Sequence, residues 1–207
     1  MLGKLLRSLR DRIFPFSKSI SKKALAELPL FKFQGEIIVI DSITGAEQAV
    51  LLLLKHSLLG FDTESRPAFR KGESYPPSLV QISTDKSVYL FKLSKLNGIK
   101  ELQPILESQE VKKVGIAIRD DINKLKELGN FKDAGFVDIS DLTKTLDIKN
   151  TGLNSLAGIF LKYRISKSSQ VTDWSQENLS SKQITYAATD AWVSRELFIK
   201  VKEFATK

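Results

Sequence analysis

The stretch from Leu58 to Ser65 reads LLGFDTES, an apolar run that ends in two acids. Side chains alternate between the two faces of a strand, so a strand here places Asp62 and Glu64 on the same face. Two carboxylates on one face of a half-buried strand repel each other and lose hydration, which calls for a divalent cation or a cationic partner. The simpler interpretation is that the acids mark the polar end of a strand where it enters a loop.

The composition limits the chemistry available to these acids. The chain has 207 residues, 42% of them hydrophobic, which is enough to build a full core. It has no cysteine, which excludes disulfides and thiolate sites, and its one histidine, His56, belongs to a leucine-rich helical pattern. A metal site would therefore use carboxylates, and oxygen ligands favour Mg²⁺ or Mn²⁺. The longest apolar run, Ala49 to Leu54, is far shorter than the roughly 20 residues that span a bilayer, and we expect a soluble, cytoplasmic protein.

The net charge of +8 is concentrated near the N-terminus. Residues 1–35 hold eight Lys/Arg and two Asp/Glu, which leaves 24 Lys/Arg and 22 Asp/Glu for residues 36–207. Apolar residues recur at helical spacing between basic ones in residues 2–13, which predicts a short amphipathic helix. We therefore separate a basic N-terminal helical leader, residues 1–35, from a domain over residues 36–207. The leader could contact nucleic-acid phosphates, an anionic membrane surface or only water, and a targeting role stays open.

Strand and helix patterns alternate along the rest of the chain. The strand patterns cover residues 36–40, 58–63, 78–83, 88–92, 112–116 and 135–138. The helix patterns cover residues 22–28, 44–56, 95–108, 120–128, 140–145, 152–160 and 180–204, with Thr44 as the N-cap of the second. A hairpin unit followed by β-α-β indicates a mixed α/β sheet flanked by helices.

The segment from Val114 to Leu125, VGIAIRDDINKL, is the second strand pattern that ends in acids. The strand pattern ends there, and Asp120 and Asp121 follow at the predicted start of a helix. Acids in a first helical turn are also favoured by the helix macrodipole and by capping. These two acids are therefore candidates either for the metal site or for stabilising the start of the helix.

The segment YAATDA, residues 186–191, lies inside the predicted C-terminal helix. Tyr186 and Asp190 are four residues apart and share one face of that helix. The alanines allow the helix to approach a sheet closely, so Asp190 is best explained as a ligand opposite the first two acids. Three or four acids and one tyrosine suit two-metal cleavage of a phosphodiester, in which carboxylates hold two cations about 3.5–4 Å apart.

The segments GFDTES, VGIAIRDDINKL and YAATDA, in this order, resemble the three motifs of the DEDDy 3'-5' exonucleases, the family that includes RNase D and the exonuclease domain of the Werner-syndrome helicase. The resemblance runs from about Gly35 to Phe204 and includes QISTDKSVYLF, LNSLAGIFL and DWS. It implies an RNase H-like fold, with a mixed five-stranded sheet flanked by helices. It also implies a 3'-5' exonuclease that uses two Mg²⁺ or Mn²⁺ ions and releases nucleoside monophosphates from the 3' end of DNA or RNA.

The resemblance also implies individual roles. By analogy, the residues of the active site are Asp62, Glu64, Asp121, Tyr186 and Asp190. Asp62, Glu64 and Asp190 would ligate the cations directly. Asp121 would bind through water, and Tyr186 would hydrogen-bond the attacking water. The family motif places its acid six residues after Gly115, which selects Asp121 and leaves Asp120 to the first turn of the helix.

The loop after the first motif is rich in Arg, Lys and Gly. Arg66, Arg70 and Lys71 lie there and are candidates for phosphate contacts, although a solvated loop has the same composition. Ser65 and Arg66 stand where many Werner-type members have an aromatic residue, so the resemblance does not assign the residue that stacks on the terminal base. The aromatic candidates for this stacking are Phe61, Phe69 and Tyr75.

Two other functions use the same features. A catalytically silent nucleic-acid-binding or interaction module could retain the fold, but it has no reason to retain close carboxylates. A metal-dependent phosphatase could use the same acids on a small phosphoester. The choice between DNA and RNA depends on contacts to the 2'-hydroxyl, which the motifs do not reveal.

Overall fold

A computed structural model describes residues 17–70 and 72–206. Its centre is a mixed sheet with the strand order β1-β4-β3-β2-β5-β6. Within the described residues the strands are β1 (Glu36–Ile40), β2 (Leu58–Ser65), β3 (Pro77–Ser83), β4 (Ser87–Lys92), β5 (Lys112–Gly115) and β6 (Phe136–Asp138). Strand β3 runs antiparallel to both of its neighbours, and the other neighbouring pairs are parallel. The protein is therefore an α/β protein with a mixed sheet, as predicted.

Helices cover both faces of the sheet. The α-helices of the described residues are α1 (Lys22–Glu27), α2 (Ile43–Leu53), α3 (Gln103–Leu106), α4 (Arg119–Lys126), α5 (Ile139–Thr145), α6 (Leu153–Leu156) and α7 (Ser181–Ala205), and a π-helical turn, Ala157–Leu161, continues α6. One core lies between the sheet and α2, α3 and α4. Helix α7 packs on the other face, against β2, β3 and β5. Within the part of the chain that the structure describes, no helix is both long and apolar enough to cross a membrane.

The sheet has one strand more than the five that the resemblance implies. The shortest of the six strands is β6, which has three residues and pairs in parallel with β5, with Val137 beside Val114. The residue pattern itself indicates this strand, because it contains six strand segments, each within two residues of an observed strand. The count implied by the family is therefore wrong for this chain, and the count from the residues is confirmed.

Two predictions about helices are wrong for local reasons. The helix predicted over residues 95–108 is broken into the 3₁₀ turns Leu93–Lys95 and Lys100–Leu102 and the short helix α3. Gly98 causes part of this break, because its φ of +69° is incompatible with a right-handed helix. The N-cap of α2 is Ser42, whose hydroxyl accepts a hydrogen bond from the Gly45 amide, and not Thr44.

The close contact between α7 and β2 depends on Gly60. A β-carbon at this position would lie 2.0 Å from the backbone oxygen of Ala191 and 2.3 Å from the hydroxyl of Ser83. The Ser83 hydroxyl donates to that same Ala191 oxygen over 3.0 Å. The backbone of α7 therefore lies almost directly on the sheet at the point where β2 turns acidic.

The described part of the leader, residues 17–35, packs against the domain. Phe33 is buried, and its amide donates to the Thr189 hydroxyl on α7 over 3.1 Å. Lys18 forms an ion pair of 2.9 Å with Asp147. The basic helix predicted over residues 2–13 lies outside the described residues. The domain boundary near residue 36 stays a prediction.

Candidate active site

Three carboxylates meet where β2 passes under α7. One carboxylate oxygen from each of Asp62, Glu64 and Asp190 lies within 4.8 Å of the other two. Asp62 and Glu64 are brought to one face by the alternation of the strand, as their spacing predicts. Asp190 reaches them because α7 lies directly on that face. The prediction that these three residues converge is therefore confirmed by the geometry, while their chemical roles stay predictions.

Helix α7 presents its small side chains to the sheet and its polar ones to the acids. Ala187, Ala188 and Ala191 are fully buried. Tyr186 lies one turn before Asp190 and is also buried, with its ring 6.0 Å from that of Trp174. Burial, followed by the negative charges of Asp190 and Glu64, raises the pKa of the Tyr186 hydroxyl above its usual range, and a hydrogen bond to Asp190 adds to the rise. The tyrosine hydroxyl is thus held beside the carboxylates.

Asp121 joins the site from helix α4. The hydroxyl of Thr63 donates to its Oδ1 over 2.7 Å, which ties the first turn of α4 to the end of β2. Burial raises the pKa of Asp121, and this hydrogen bond opposes the rise. Asp120, by contrast, is exposed. The structure therefore holds Asp121 against Thr63 of β2 and leaves Asp120 in solvent, while the role of Asp121 at the metal site stays a prediction.

It is energetically unfavourable for Asp62, Glu64 and Asp190 to carry their negative charges at the same time. Burial, followed by the negative charges of Asp190 and Asp121, raises the pKa of Asp62 well above its usual value. Burial and then the charge of Asp62 raise the pKa of Glu64 to about 10. Burial raises the pKa of Asp190 to about 7. Without a positive charge beside them, these carboxyl groups therefore bind protons more readily than free ones, and Glu64 keeps its proton at neutral pH.

The residues around this cluster fit divalent cations. Among the described residues, no lysine or arginine forms an ion pair with Asp62, Glu64 or Asp190. Asp190 is only 5% exposed, and its Oδ1 has no hydrogen-bond partner within the described chain. A buried carboxylate with a free oxygen needs a positive partner, and carboxylate oxygens are the ligands that Mg²⁺ and Mn²⁺ prefer.

A cleft of about 300 Å³ opens onto the carboxylates. Besides the acids and Tyr186, its lining includes Thr63 of β2, Ile116 just after β5, and Leu153 and Asn154 of α6. Ser166, Lys167 and Gln170, from the loop after the π-helical turn, complete it. The sequence reasoning did not assign these residues. LNSLAGIFL marks the position of Asn154, but the loop of Ser166, Lys167 and Gln170 has no signal beyond its polar composition.

The basic loop lies to one side of this cleft. The Arg66 guanidinium lies 5.1 Å from the centre of the Tyr75 ring, and both residues line a separate groove of about 360 Å³. Arg70 is exposed and lies 4.0 Å from Glu73. Lys71 falls outside the described residues. Phosphate contacts by this loop stay a prediction.

The aromatic candidates for base stacking separate by exposure. Phe61 is fully buried and packs edge-on against Phe136, with ring centres 5.1 Å apart, so it belongs to the core. Phe69 is 84% exposed. Tyr75 is covered in part by the Arg66 side chain. Of the three, Phe69 alone presents a free ring face to solvent.

Comparison with known proteins assigns the family. A family model described as 3'-5' exonuclease matches residues 37–203, so the chain belongs to the 3'-5' exonuclease family. Within that family it is a DEDD-type, RNase D-like member, as its ordered acidic motifs indicate.

Two relatives and one solved structure illustrate the similarity. The chain is 28% identical over 196 residues to the mouse bifunctional 3'-5' exonuclease/ATP-dependent helicase WRN, covering 89% of this chain. It is 30% identical over 159 residues to DNA polymerase I of Aquifex aeolicus, covering 77% of this chain. These matches span only 14% and 26% of the two relatives. The crystal structure of the Aedes aegypti Nibbler EXO domain superimposes with a TM-score of 0.76 at 21% identity, covering 85% of this chain and 93% of that one. Its fold is therefore shared, and the protein has the RNase H-like architecture that the resemblance implies.

Proposed function

We propose that this protein is a divalent-metal-dependent 3'-5' exonuclease that releases nucleoside monophosphates from the 3' end of DNA or RNA. The observation that supports it most is the convergence of Asp62, Glu64 and Asp190 within 4.8 Å in a partly buried site where, among the described residues, no cationic side chain is paired to them. Membership of the 3'-5' exonuclease family supports the same conclusion. A cation pair of Mg²⁺ or Mn²⁺ would supply an activated water and charge stabilisation at the leaving oxygen.

The chain's own residues then have separate tasks. Asp62, Glu64 and Asp190 would hold the cations, and the Thr63 hydroxyl would orient Asp121 for its contact through water. Tyr186 keeps its proton, because burial and the neighbouring Asp190 charge raise its pKa above the usual range. Its hydroxyl can therefore donate to Asp190 or accept from the attacking water, and it would orient that water rather than take its proton.

The cleft beside the acids suits a single nucleotide. Its volume of about 300 Å³ lies at the lower end of the range for small-ligand sites. Polar side chains such as Asn154 and Gln170 can hydrogen-bond a base or sugar, and exposed Lys167 can contact a phosphate. An enzyme that removes nucleotides one at a time from a 3' end requires a site for one terminal nucleotide.

The proposal is tested by digestion of matched 5'-labelled DNA and RNA, single-stranded and recessed, with Mg²⁺, with Mn²⁺ and with EDTA. We expect a ladder of products shortened from the 3' end, and no digestion with EDTA. A mononucleotide phosphoester assay runs in parallel. Phosphate release from that small substrate with intact polymers would indicate a phosphatase instead.

Two variants separate catalysis from binding. Asp190→Asn should retain nucleic-acid binding and lose hydrolysis, because it removes a cation ligand with little change in shape. The matched control is Asp120→Asn, the same chemical change at an exposed acid next to Asp121 in the first turn of α4. It should leave hydrolysis unchanged. Binding without digestion by the wild-type protein, in any of the metal conditions, would identify a catalytically silent module and refute the proposal.

A further inference from the structure

Gln81 is a buried amide for which the folded chain provides no partner. Its side chain is completely buried, and both Nε2 and Oε1 lack a hydrogen-bond partner within the described residues. An amide buried in this way is costly, because it loses its hydrogen bonds to water. Such a group in a folded protein calls for a specific explanation.

The position of Gln81 in the sheet suggests that explanation. It lies on β3 directly opposite Asp62 on β2 in the antiparallel register. Side chains of directly opposed residues point to the same face, with β-carbons about 4.5–5.5 Å apart. The amide therefore lies beside a carboxylate of the metal site rather than in an ordinary apolar core.

The neighbours of Gln81 on β3 confirm which face it occupies. Ser83, two residues further along, donates to the Ala191 oxygen on α7 over 3.0 Å. Leu79, two residues earlier, belongs to the cluster that contains Tyr186 and Ala187. Alternation along the strand places Gln81 between them, on the face that α7 covers.

Asp62 has hydrogen-bonding capacity left for this amide. Its Oδ1 accepts a hydrogen bond of 3.0 Å from the Thr63 amide. A carboxylate accepts about four hydrogen bonds in all, and a glutamine amide offers two N–H donors. Hydrogen bonds to an ionised carboxylate are about twice as strong as bonds between neutral groups.

We propose that Gln81 is a positioning residue whose Nε2, unpaired in the structure, donates to the Asp62 carboxylate once a cation is bound and holds it in its metal-binding orientation. This role rests on the proposed metal-dependent function. Gln81 does not line the cleft, so it acts through Asp62 and touches neither substrate nor cations. Groups that orient a metal ligand in this way typically change metal affinity or activity by about 10–100-fold when they are removed.

The first test uses the variant Gln81→Met, which keeps the length of the side chain and removes the amide. We expect Mg²⁺ affinity, measured by calorimetry, to fall about 10–100-fold, with turnover reduced and the KM for the oligonucleotide unchanged. The melting temperature without metal should equal or exceed that of the wild type, because an unpaired buried amide is lost. Wild-type Mg²⁺ affinity and turnover in a folded Gln81→Met protein would overturn the proposal.

The control variant is Tyr163→Phe. The Tyr163 hydroxyl is also buried without a partner among the described residues, but its ring packs against Phe31, and Tyr163 does not line the cleft at Asp62, Glu64 and Asp190. Its removal should leave Mg²⁺ affinity and turnover at the wild-type level. An equal loss in both variants would mean that Gln81 acts only through general packing, and the assignment would be wrong.

A second measurement uses the wild-type protein and does not depend on folding of a variant. In protein labelled with ¹⁵N-glutamine, titration with Mg²⁺ should shift the side-chain NH₂ resonances of Gln81, distinguished from those of the other buried glutamine, Gln183, and slow their exchange with solvent. An unchanged spectrum at saturating Mg²⁺ would refute the role of Gln81. This readout needs no substrate, so it still applies if the protein degrades neither DNA nor RNA.

Discussion

Replacing Asp62 with Asn should abolish hydrolysis and stabilise the metal-free protein. The carboxylate oxygens of Asp62, Glu64 and Asp190 lie within 4.8 Å of one another. At this distance and an effective dielectric constant of about 20, two full charges repel by about 3.5 kcal/mol. Protonation of the cluster at neutral pH already relieves part of this repulsion. We therefore expect the substitution to stabilise the metal-free protein by about 2 kcal/mol, which corresponds to about 4–8 °C in melting temperature for a domain of this size.

The pH dependence of the same two proteins adds a second expectation. The folded-state pKa values of Glu64, about 10, and Asp190, about 7, lie above the values near 4 of an unfolded chain. The folded protein therefore binds more protons, and its metal-free stability falls as the pH rises from about 4 through 7 and beyond. Asp62→Asn removes a third carboxyl group with a raised pKa and the negative charge that helps to raise the pKa of Glu64, so its stability should fall less steeply.

Thermal unfolding in EDTA and in Mg²⁺, between pH 5 and pH 9, measures the change in stability and its pH dependence. Oligonucleotide digestion measures the loss of hydrolysis. Mg²⁺ should raise the melting temperature of the wild type and leave that of Asp62→Asn almost unchanged, because a ligand stabilises only the protein that binds it. The reasoning fails if the variant melts below the wild type in EDTA. It also fails if the folded variant retains more than a few per cent of the activity.

Four further substitutions test other parts of the site. Tyr186→Phe keeps the buried ring and removes the hydroxyl, so turnover should fall about 10²-fold with KM unchanged; a variant at full rate would make Tyr186 a core residue only. Asp121→Ala should be folded and nearly inactive, whereas Asp120→Ala should stay active and lose about 0.3–1 kcal/mol of stability with the loss of a first-turn acid. Circular dichroism and turnover separate this pair, and reversed phenotypes would mean that the motif is shifted by one residue. Gly60→Ala would place its new β-carbon 2.0 Å from the Ala191 oxygen, so α7 must move by about 1 Å. We expect a loss of about 1–3 kcal/mol in the free energy of unfolding and of about 10²-fold in turnover. A melting temperature equal to that of the wild type would show that the helix does not touch the strand at this point.

The carboxylates show which features of the site can be predicted from residue spacing within a single strand or helix. Asp62 and Glu64 share a face because the strand period is two, and Tyr186 and Asp190 share a face because they are four residues apart on a helix. Both relations depend only on backbone geometry within a few residues. That Asp120 and Asp121 cannot both face the site is local too, since neighbouring helical residues point about 100° apart. The choice of Asp121 came from the resemblance to the family motif. The structure confirms these placements.

Two other local predictions, a helix and an N-cap, were wrong because the conformation of a single residue decided the outcome. The helix pattern over residues 95–108 looks continuous, but the left-handed backbone at Gly98 interrupts it. Thr44 and Ser42 are both good N-cap residues, and sequence alone does not decide which hydroxyl meets the free amide. Element boundaries therefore depend on details of backbone conformation that residue periodicity does not contain.

The sequence by itself determined the strands, the class of fold, the acids and, through the order of its motifs, the family. Only the tertiary structure decided which groups meet: the Thr63 hydroxyl on Asp121, the cleft lined by Asn154 and Lys167, and Gln81 beside Asp62. The physical reason is that a period of two or 3.6 residues sets directions within one element. Contacts between elements depend on how closely they pack, which here is set by the absence of a side chain at Gly60.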